Sequence, residues 1–147
     1  RIRLIISSSD IKSDSIIPMG PDMSHVDIKH LNPITLDFWL ESTASSLTYL
    51  GDHLIECFAN RTPNKISVLM KSSKSSSRNF ILKMNKIECP NKINLNGIKL
   101  KRTKGAKYLG ESSLKSIWWF DEQQAIVYIK LIAPFSKDNE VLVEVIY

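Results

Sequence analysis

Short segments in which every second residue is apolar recur along the chain at intervals of roughly ten residues, with Pro, Gly, Asn and Ser between them. This period of two is typical of strands, and the short spacing is typical of an all-β sandwich. Residues 41–50 are the best helical candidate, although their Ser and Thr content is equally consistent with a loop. Strands are predicted at residues 2–6, 16–19, 35–40, 53–59, 65–70, 80–84, 92–95, 117–120, 125–131 and 141–146.

The length and the balance of charge limit the possible classes of protein. The chain has 147 residues, of which 43% are hydrophobic, and a formal net charge of +5. It can therefore bury a core, and its length fits one ordinary domain or two small sandwiches. Lys and Arg are spread along the chain with acidic residues among them, which is typical of a solvated surface. Nucleic acid is therefore not an expected partner.

The cysteines and histidines do not predict a cofactor. Cys57 and Cys89 lack the spacing of a disulfide framework or a metal site, and we interpret them as two buried thiols, with a bond between them left open. His25, His30 and His53 have no carboxylate or cysteine partners at ligand spacing, so neither a metal nor another cofactor is predicted. No run reaches the ~20 apolar residues that a membrane span needs.

The last predicted hairpin contains the candidate site residues. We expect residues 121–124 to form a four-residue loop in which Asp121 opens a type I turn. Trp119 would then lie opposite Ile126 and share a half-exposed face with Ile117, Ile126, Tyr128 and Lys130. The opposite face is more apolar and is predicted to be core; its members are Trp118, Val127, Ile129 and Leu131.

The aromatic face has two interpretations. In one interpretation, a neighbouring domain packs on Trp119 and Tyr128 and covers them. In the other, the apolar face of a sugar ring stacks on these two side chains. Packing of a neighbouring domain is the favoured interpretation. The serine-rich tract at residues 71–77 is interpreted as a flexible connection between two strands. A weaker third hypothesis has residues 71–78 binding nucleic acid, with an affinity that falls steeply with salt.

The chain shows no motif of a catalytic site. Asp52 and Asp121 are explained as turn residues, and the sequence does not show two carboxyl groups placed across a scissile bond. It also lacks a Gly-x-Ser-x-Gly elbow and a phosphate-binding loop. The sequence therefore predicts no catalytic residue.

Six short segments follow one another along the chain in an informative order. Two lie in the first part, at residues 15–21 (SIIPMGP) and 32–36 (NPITL), and four lie later, at residues 78–82 (RNFIL), 90–97 (PNKINLNG), 118–121 (WWFD) and 127–131 (VYIKL). In this order they resemble the C-terminal β-sandwiches of the α-glucosidases of glycoside hydrolase family 31. The first two segments are similar to two strands of the first sandwich, and the other four are similar to the pattern of the second. Two departures make the chain a divergent relative: Asp14 replaces the expected glycine, and residues 40–49 replace an acidic turn.

In that family the catalytic aspartates lie on a (β/α)8 barrel that precedes the sandwiches. The resemblance thus implies a non-catalytic region of an α-glucosidase-like enzyme, made of two small antiparallel β-sandwich domains at residues 1–62 and 63–147. It assigns no catalytic role to any residue here. The implied partner is the catalytic barrel, on the same or another chain. An independent carbohydrate-binding or adhesion module is the alternative, with Trp119 and Tyr128 as its binding residues.

Overall fold

A computed structural model of the chain describes residues 2–8, 16–18, 34–40, 44–50, 54–85, 87–105 and 115–147. These residues form strands, turns and loops, and none of them is helical. The strands are β1 (Ile2–Ser8), β2 (Ile16–Pro18), β3 (Ile34–Leu40), β4 (Ala44–Leu50), β5 (Leu54–Thr62), β6 (Lys65–Ser72), β7 (Phe80–Asn85), β8 (Lys92–Leu95), β9 (Ile98–Lys99), β10 (Lys101–Arg102), β11 (Ile117–Asp121), β12 (Ile126–Leu131) and β13 (Glu140–Ile146).

The strands form two sheets. The seven-stranded sheet has the order β10-β11-β12-β7-β3-β1-β2, and the six-stranded sheet has the order β4-β5-β6-β13-β8-β9. Most pairs are antiparallel, whereas β3 with β7 and β10 with β11 are parallel. Parallel strands need a connection of about a dozen residues or more, and both pairs meet this: β3 and β7 are far apart along the chain, and residues 103–116 separate β10 from β11.

The core lies between the two sheets. In β6 every second residue is buried, and β13 alternates in the same way, as expected of strands with one face on a core. The fully buried side chains of both sheets belong to one cluster, which includes Phe38 and Leu82 from the seven-stranded sheet and Val68 and Val143 from the six-stranded sheet. The two sheets therefore share one apolar interior.

The centre of the seven-stranded sheet is buried on both faces. In β7 only Lys83 is half-buried, and in β12 only Tyr128 is, whereas their other residues are buried. Asn85 is among the buried ones, and its side-chain amide donates a hydrogen bond of 3.0 Å to the Phe38 carbonyl. That bond satisfies a buried polar group next to the β3–β7 ladder.

The all-β fold class and each of the predicted strands are confirmed, with ends that differ by a few residues. The prediction of a helix or a loop at residues 41–50 is wrong, because β4 occupies residues 44–50. This strand pairs with β5, from Ala44 opposite Asn60 to Leu50 opposite Leu54. Its Ser and Thr residues disfavour a helix but do not oppose an extended edge strand. The short strands β9 and β10 were not predicted.

The division into residues 1–62 and 63–147 stays a prediction. Among the described residues, hydrogen bonds cross it in the β5–β6 hairpin and along the β3–β7 ladder. The hairpin of β5 and β6 pairs Thr62 with Lys65, and β3 pairs with β7 from Ile34 opposite Phe80 onward. Leu36 and Phe38 from the first half are buried in the same cluster as residues of the second half.

The β11–β12 hairpin has a different register from the predicted one. Asp121 pairs with Ile126, so the loop consists of residues 122–125 rather than 121–124. The shift has a backbone cause: Ala125 has a φ of +53° and belongs to the turn instead of to the strand. Asp121 acts as the predicted turn residue, since its Oδ1 accepts hydrogen bonds from the backbone N–H groups of Gln123 and Gln124 at 3.0 and 3.1 Å.

The positive φ of Ala125 leads to a stability prediction. A left-handed conformation costs an L-residue about 1–2 kcal/mol, and Gly avoids this cost while losing roughly 0.5–1 kcal/mol of chain entropy on folding. We therefore expect Ala125→Gly to raise the free energy of unfolding by about 0.5 kcal/mol. Urea denaturation followed by tryptophan fluorescence measures this change.

The matched control is Ala59→Gly. Ala59 lies in β5 and is buried in the core, so the same replacement there removes packing and loosens a strand. It is expected to lower the free energy of unfolding by about 1 kcal/mol. Equal losses of stability in both variants would show that Ala125 is not strained.

Candidate functional site

The β11–β12 hairpin brings the two predicted site residues into direct contact. Trp119 lies opposite Tyr128, and their rings stack with centroids 5.4 Å apart at an interplanar angle of 19°. Both side chains are half-buried. Opposed aromatic residues stabilise an antiparallel pair, and a stacked pair holds each ring in a defined position.

Fewer residues on the face of Trp119 and Tyr128 are half-exposed than the sequence predicted. Ile117, Ile126 and Lys130 were expected to be half-exposed with Trp119, but each of them is buried. The shift in register changed the partner of each residue but not its face, because it moved the pairing by two residues. Trp118, Val127, Ile129 and Leu131 are accordingly buried in the core, as predicted.

A cavity of about 540 Å³ opens beside Trp119, at the edge where β10 meets β11. Pockets that bind small ligands have volumes of ~300–1,000 Å³. Its lining combines an indole ring with a hydroxyl group and both signs of charge, and consists of Arg102, Thr103, Lys104, Trp119, Phe120 and Glu122.

Backbone and ring contacts hold the β10 side of the cavity. The Thr103 N–H donates a hydrogen bond of 2.8 Å to the Trp118 carbonyl, which extends the parallel pairing of Arg102 with Trp118. The guanidinium carbon of Arg102 lies 5.2 Å from the centre of the Trp118 ring, within the range of a cation–π interaction. The position of Arg102 is therefore defined although the residue is exposed.

Sequence reasoning missed this cavity. A signal was present, because Lys99, Lys101, Arg102 and Lys104 lie within six residues with no acidic residue among them. All four are exposed in the structure. The sequence did not show that part of this run would form a strand parallel to β11 and so lie next to Trp119.

The serine-rich tract is held by hydrogen bonds. Lys71 belongs to β6, and its ammonium group lies 3.1 Å from a carboxylate oxygen of Glu140. The Ser72 hydroxyl donates to the Lys74 carbonyl at 2.7 Å, and the Ser76 N–H donates to the Phe135 carbonyl at 3.0 Å. The tract does connect two strands, β6 and β7, and these bonds tie it to the sandwich.

The cysteines have different surroundings. No disulfide joins them: Cys57 is buried and Cys89 is exposed, so the interpretation as two buried thiols is wrong for Cys89. Burial raises the pKa of the Cys57 thiol to about 12, because the thiolate would lack solvation. A nucleophilic cysteine needs the opposite shift, so Cys57 is a structural residue.

Among the residues that the structure describes, Tyr147 is the other one whose pKa is clearly shifted. Burial raises its pKa to about 12, the charge of Arg61 lowers it, and Glu88 and Cys89 raise it. Its hydroxyl is buried without a hydrogen-bond partner. A phenol with a raised pKa remains protonated near neutral pH and is a poor general base.

Within the described ranges, no group of three or more His, Cys, Asp or Glu side chains could hold a metal ion. The histidines at positions 25, 30 and 53 lie outside those ranges, as does Asp52. The described part of the chain also contains no helix with the length and apolar character needed to cross a membrane.

The two thiols should differ in reactivity. In native protein near pH 8, we expect a chromogenic disulfide reagent to modify Cys89 rapidly and to leave Cys57 unmodified, because a buried thiol with a pKa of about 12 forms little thiolate. Unfolding in guanidinium chloride should release the second thiol. In the Cys89→Ser control no thiol should react before unfolding, and rapid modification of that variant would contradict the burial of Cys57.

No protein-family model matches the sequence, and no curated protein matches it. Solved structures do match the fold. A GH31 dextranase from Flavobacterium johnsoniae superimposes with a TM-score of 0.67 at 18% identity, over 83% of this chain and 18% of the dextranase.

Two other enzymes show the same likeness. The cycloalternan-forming enzyme of Listeria monocytogenes matches with a TM-score of 0.67 and 16% identity, over 82% of this chain and 11% of the enzyme. The α-1,4-glucan lyase of Gracilariopsis lemaneiformis matches with a TM-score of 0.64 and 11% identity, over 77% of this chain and 13% of the lyase. The chain therefore has the fold of a subdomain of such enzymes and spans less than a fifth of their length.

Proposed function

We propose that this chain is a non-catalytic β-sandwich region of an α-glucosidase-like glycoside hydrolase and that it packs on a catalytic barrel outside this sequence. The fold likeness supports the proposal, because the matched part makes up 83% of this chain but only 18% of the dextranase. Within the described ranges, the two residues with raised pKa values, Cys57 and Tyr147, are poorly suited to catalysis. The proposed contribution is thus mechanical.

Such a region supports a barrel by covering its apolar surface and by holding the loops that shape its active site. A support must be stiff, and the shared interior of the two sheets meets that need, since close-packed cores transmit strain instead of absorbing it. The resemblance to family 31 suggests that the barrel lies earlier in the same polypeptide or on a companion chain.

The outer face of the six-stranded sheet is the proposed packing surface. Phe58 in β5 lies opposite Leu69 in β6, which in turn lies opposite Leu142 in β13. We call these three residues the apolar row. Phe58 is 40% exposed, and the two leucines are half-buried. A row of cross-strand apolar side chains on an outer face is what a neighbouring domain would cover.

Two ion pairs flank the apolar row. Lys65 and Glu144 approach to 2.9 Å on one side, and Lys71 and Glu140 approach to 3.1 Å on the other. The Lys71 ammonium also lies 5.8 Å from the centre of the Phe58 ring. Interfaces commonly have an apolar centre and a polar rim, and this arrangement has the same form.

A second candidate function is carbohydrate binding at Trp119 and Tyr128. The observation that favours it is the cavity next to the stacked rings, which adds hydrogen-bonding groups to an aromatic surface. Nucleic-acid binding through residues 71–78 has less support, because Lys71 already contacts Glu140. The aromatic pair also remains a candidate for the packing surface, as the sequence suggested.

Variants of the natural polypeptide distinguish these roles. We expect Phe58→Ser to lower the melting temperature of the hydrolase by roughly 2–4 °C and to leave the KM for a small α-glucoside unchanged, because it removes apolar contact with the barrel. Differential scanning calorimetry and initial-rate kinetics measure the two effects. The matched control is Ile98→Ser, since Ile98 is 73% exposed on β9 and lies outside the apolar row.

The same measurements on Trp119→Ala test the second role. If Trp119 binds sugar, this variant weakens binding of oligosaccharides and lowers stability only by the roughly 0.5–1.5 kcal/mol that the lost stack with Tyr128 accounts for. A larger loss of stability for Trp119→Ala, with none for Phe58→Ser, would move the packing surface to the aromatic pair. If Phe58→Ser leaves the melting temperature unchanged and Trp119→Ala loses no more than the stack, then the barrel packs neither on the apolar row nor on the aromatic pair.

A further inference from the structure

The turn between β8 and β9 contains Asn96 followed by Gly97, which is the one Asn–Gly sequence in the chain. We infer that this turn is a site of deamidation and that its pairing with β13 controls when the reaction occurs. The folded hairpin blocks the reaction, and local opening of the hairpin permits it. This chemistry goes beyond the packing and binding roles and depends on neither of them.

The reaction needs only water in addition to the chain itself. The backbone nitrogen of Gly97 attacks the side-chain amide carbon of Asn96 and closes a cyclic succinimide. The side-chain nitrogen takes up the proton of the attacking nitrogen and leaves as ammonia. Water then opens the ring at either carbonyl, which gives aspartate or isoaspartate. Gly97 leaves its nitrogen unhindered, because no atom of the described chain lies within 4 Å of the position that a Cβ would take.

The backbone conformation of the turn opposes this attack. Leu95 lies opposite Ile98, so the loop has two residues, and the φ values of +49° at Asn96 and +81° at Gly97 match a type I′ turn. A residue in the left-handed region has a ψ of about +30 to +60°. This ψ turns the nitrogen of Gly97 away from the Cβ of Asn96. The nitrogen therefore cannot reach the side-chain amide until the backbone rotates.

Two hydrogen bonds to β13 hold the turn in this conformation. The Leu142 N–H donates to Oδ1 of Asn96 at 2.8 Å, and the Asn96 N–H donates to the Leu142 carbonyl at 2.8 Å. They continue the β13–β8 ladder beyond the pair of Val143 with Leu95. The first bond fixes the side-chain amide and the second fixes the backbone, so both must break before the succinimide can form.

The hairpin can open without unfolding of the core. Asn96 and Gly97 are exposed, and Ile98 is 73% exposed, so these residues bury little apolar surface. Leu95 is the anchor of the hairpin, because it is half-buried and packs against the core cluster. Segments with few buried contacts open more often than the protein unfolds as a whole.

Isoaspartate would change the structure more than aspartate. An aspartate at position 96 keeps an oxygen that accepts the Leu142 N–H, whereas isoaspartate lengthens the main chain by one methylene within a two-residue loop. The turn leads into β9 and β10, which end the two sheets, and the Leu100 N–H donates to the Ile93 carbonyl at 2.8 Å. Isoaspartate is therefore expected to detach residues 98–102 from the edges of both sheets.

Incubation of the natural polypeptide at mildly alkaline pH, folded and in guanidinium chloride, measures the reaction. Labelling with an isoaspartyl methyltransferase and peptide mapping quantify isoaspartate at position 96. We expect it to form at least about tenfold more slowly in the folded protein, because two hydrogen bonds must break first. Equal rates would overturn the control by the fold, and an unlabelled position 96 in the unfolded chain would overturn the site itself.

Variants distinguish local opening from global unfolding. Leu95→Ala removes the anchor of the hairpin and should speed the reaction in the folded protein by about fivefold to tenfold. The matched control is Ile132→Ala, which truncates a half-buried aliphatic side chain just after β12 and should leave the rate unchanged. Asn96→Gln should give no label, because its longer side chain closes a less favourable ring. Circular dichroism checks that each variant is folded.

Limited digestion with trypsin tests the structural effect. Lys99 and Lys101 are exposed but lie in β9 and β10, so the unmodified folded protein should resist cleavage after them. The isoaspartate form should be cut there, while the aspartate form should remain resistant. Equal acceleration of deamidation by Leu95→Ala and Ile132→Ala, or equal resistance of the isoaspartate and unmodified forms to trypsin, would overturn the control of this turn by its pairing with β13.

Discussion

The packing of two sheets against each other is the constraint on which the rest of this structure depends. Phe38, Leu82 and Met84 from the seven-stranded sheet belong to the same buried cluster as Ile66, Val68 and Val143 from the six-stranded sheet. Each fully buried side chain of this size is worth about 1.5–3 kcal/mol of burial. Since side chains alternate along a strand, placing these residues in the interior also decides which residues face outward.

Both candidate surfaces follow from that alternation. With Val68 and Met70 buried, Leu69 must face outward next to Phe58, and with Trp118 and Phe120 buried, Trp119 must face outward next to Tyr128. The cavity needs one more element, the short strand β10, which brings Arg102 and Lys104 to the edge of β11. One rigid core thus holds a proposed packing surface on one sheet and a proposed binding cavity on the other.

Much of the fold was predictable because local signals agree with it. The apolar period of two identified the strands that line the core, and the two faces of β11 and β12 were assigned correctly even with the wrong register. The register itself depended on the positive φ of Ala125. The residue type did not indicate this conformation, because glycine is the residue that usually adopts it. Strand β4 was missed because it is an edge strand with Ser and Thr at positions where a core strand would have apolar residues.

The candidate site was only partly predictable. Trp119 and Tyr128 were identified because they lie on one hairpin, where short loops set the pairing. Their stacking follows from direct opposition in the ladder. The basic run at residues 99–104 was visible in the sequence, but its place beside Trp119 depends on a parallel pairing between strands that are not joined by a hairpin. Such pairings are set by the packing of the whole sheet.

The most direct test of the proposed origin of this chain is the intact mass of the natural protein under denaturing conditions, measured together with hydrolysis of a chromogenic α-glucoside. The account predicts a polypeptide much heavier than 16.7 kDa, or a heavier companion chain that copurifies with it, and hydrolytic activity. A lone, inactive species of 16.7 kDa would contradict the account.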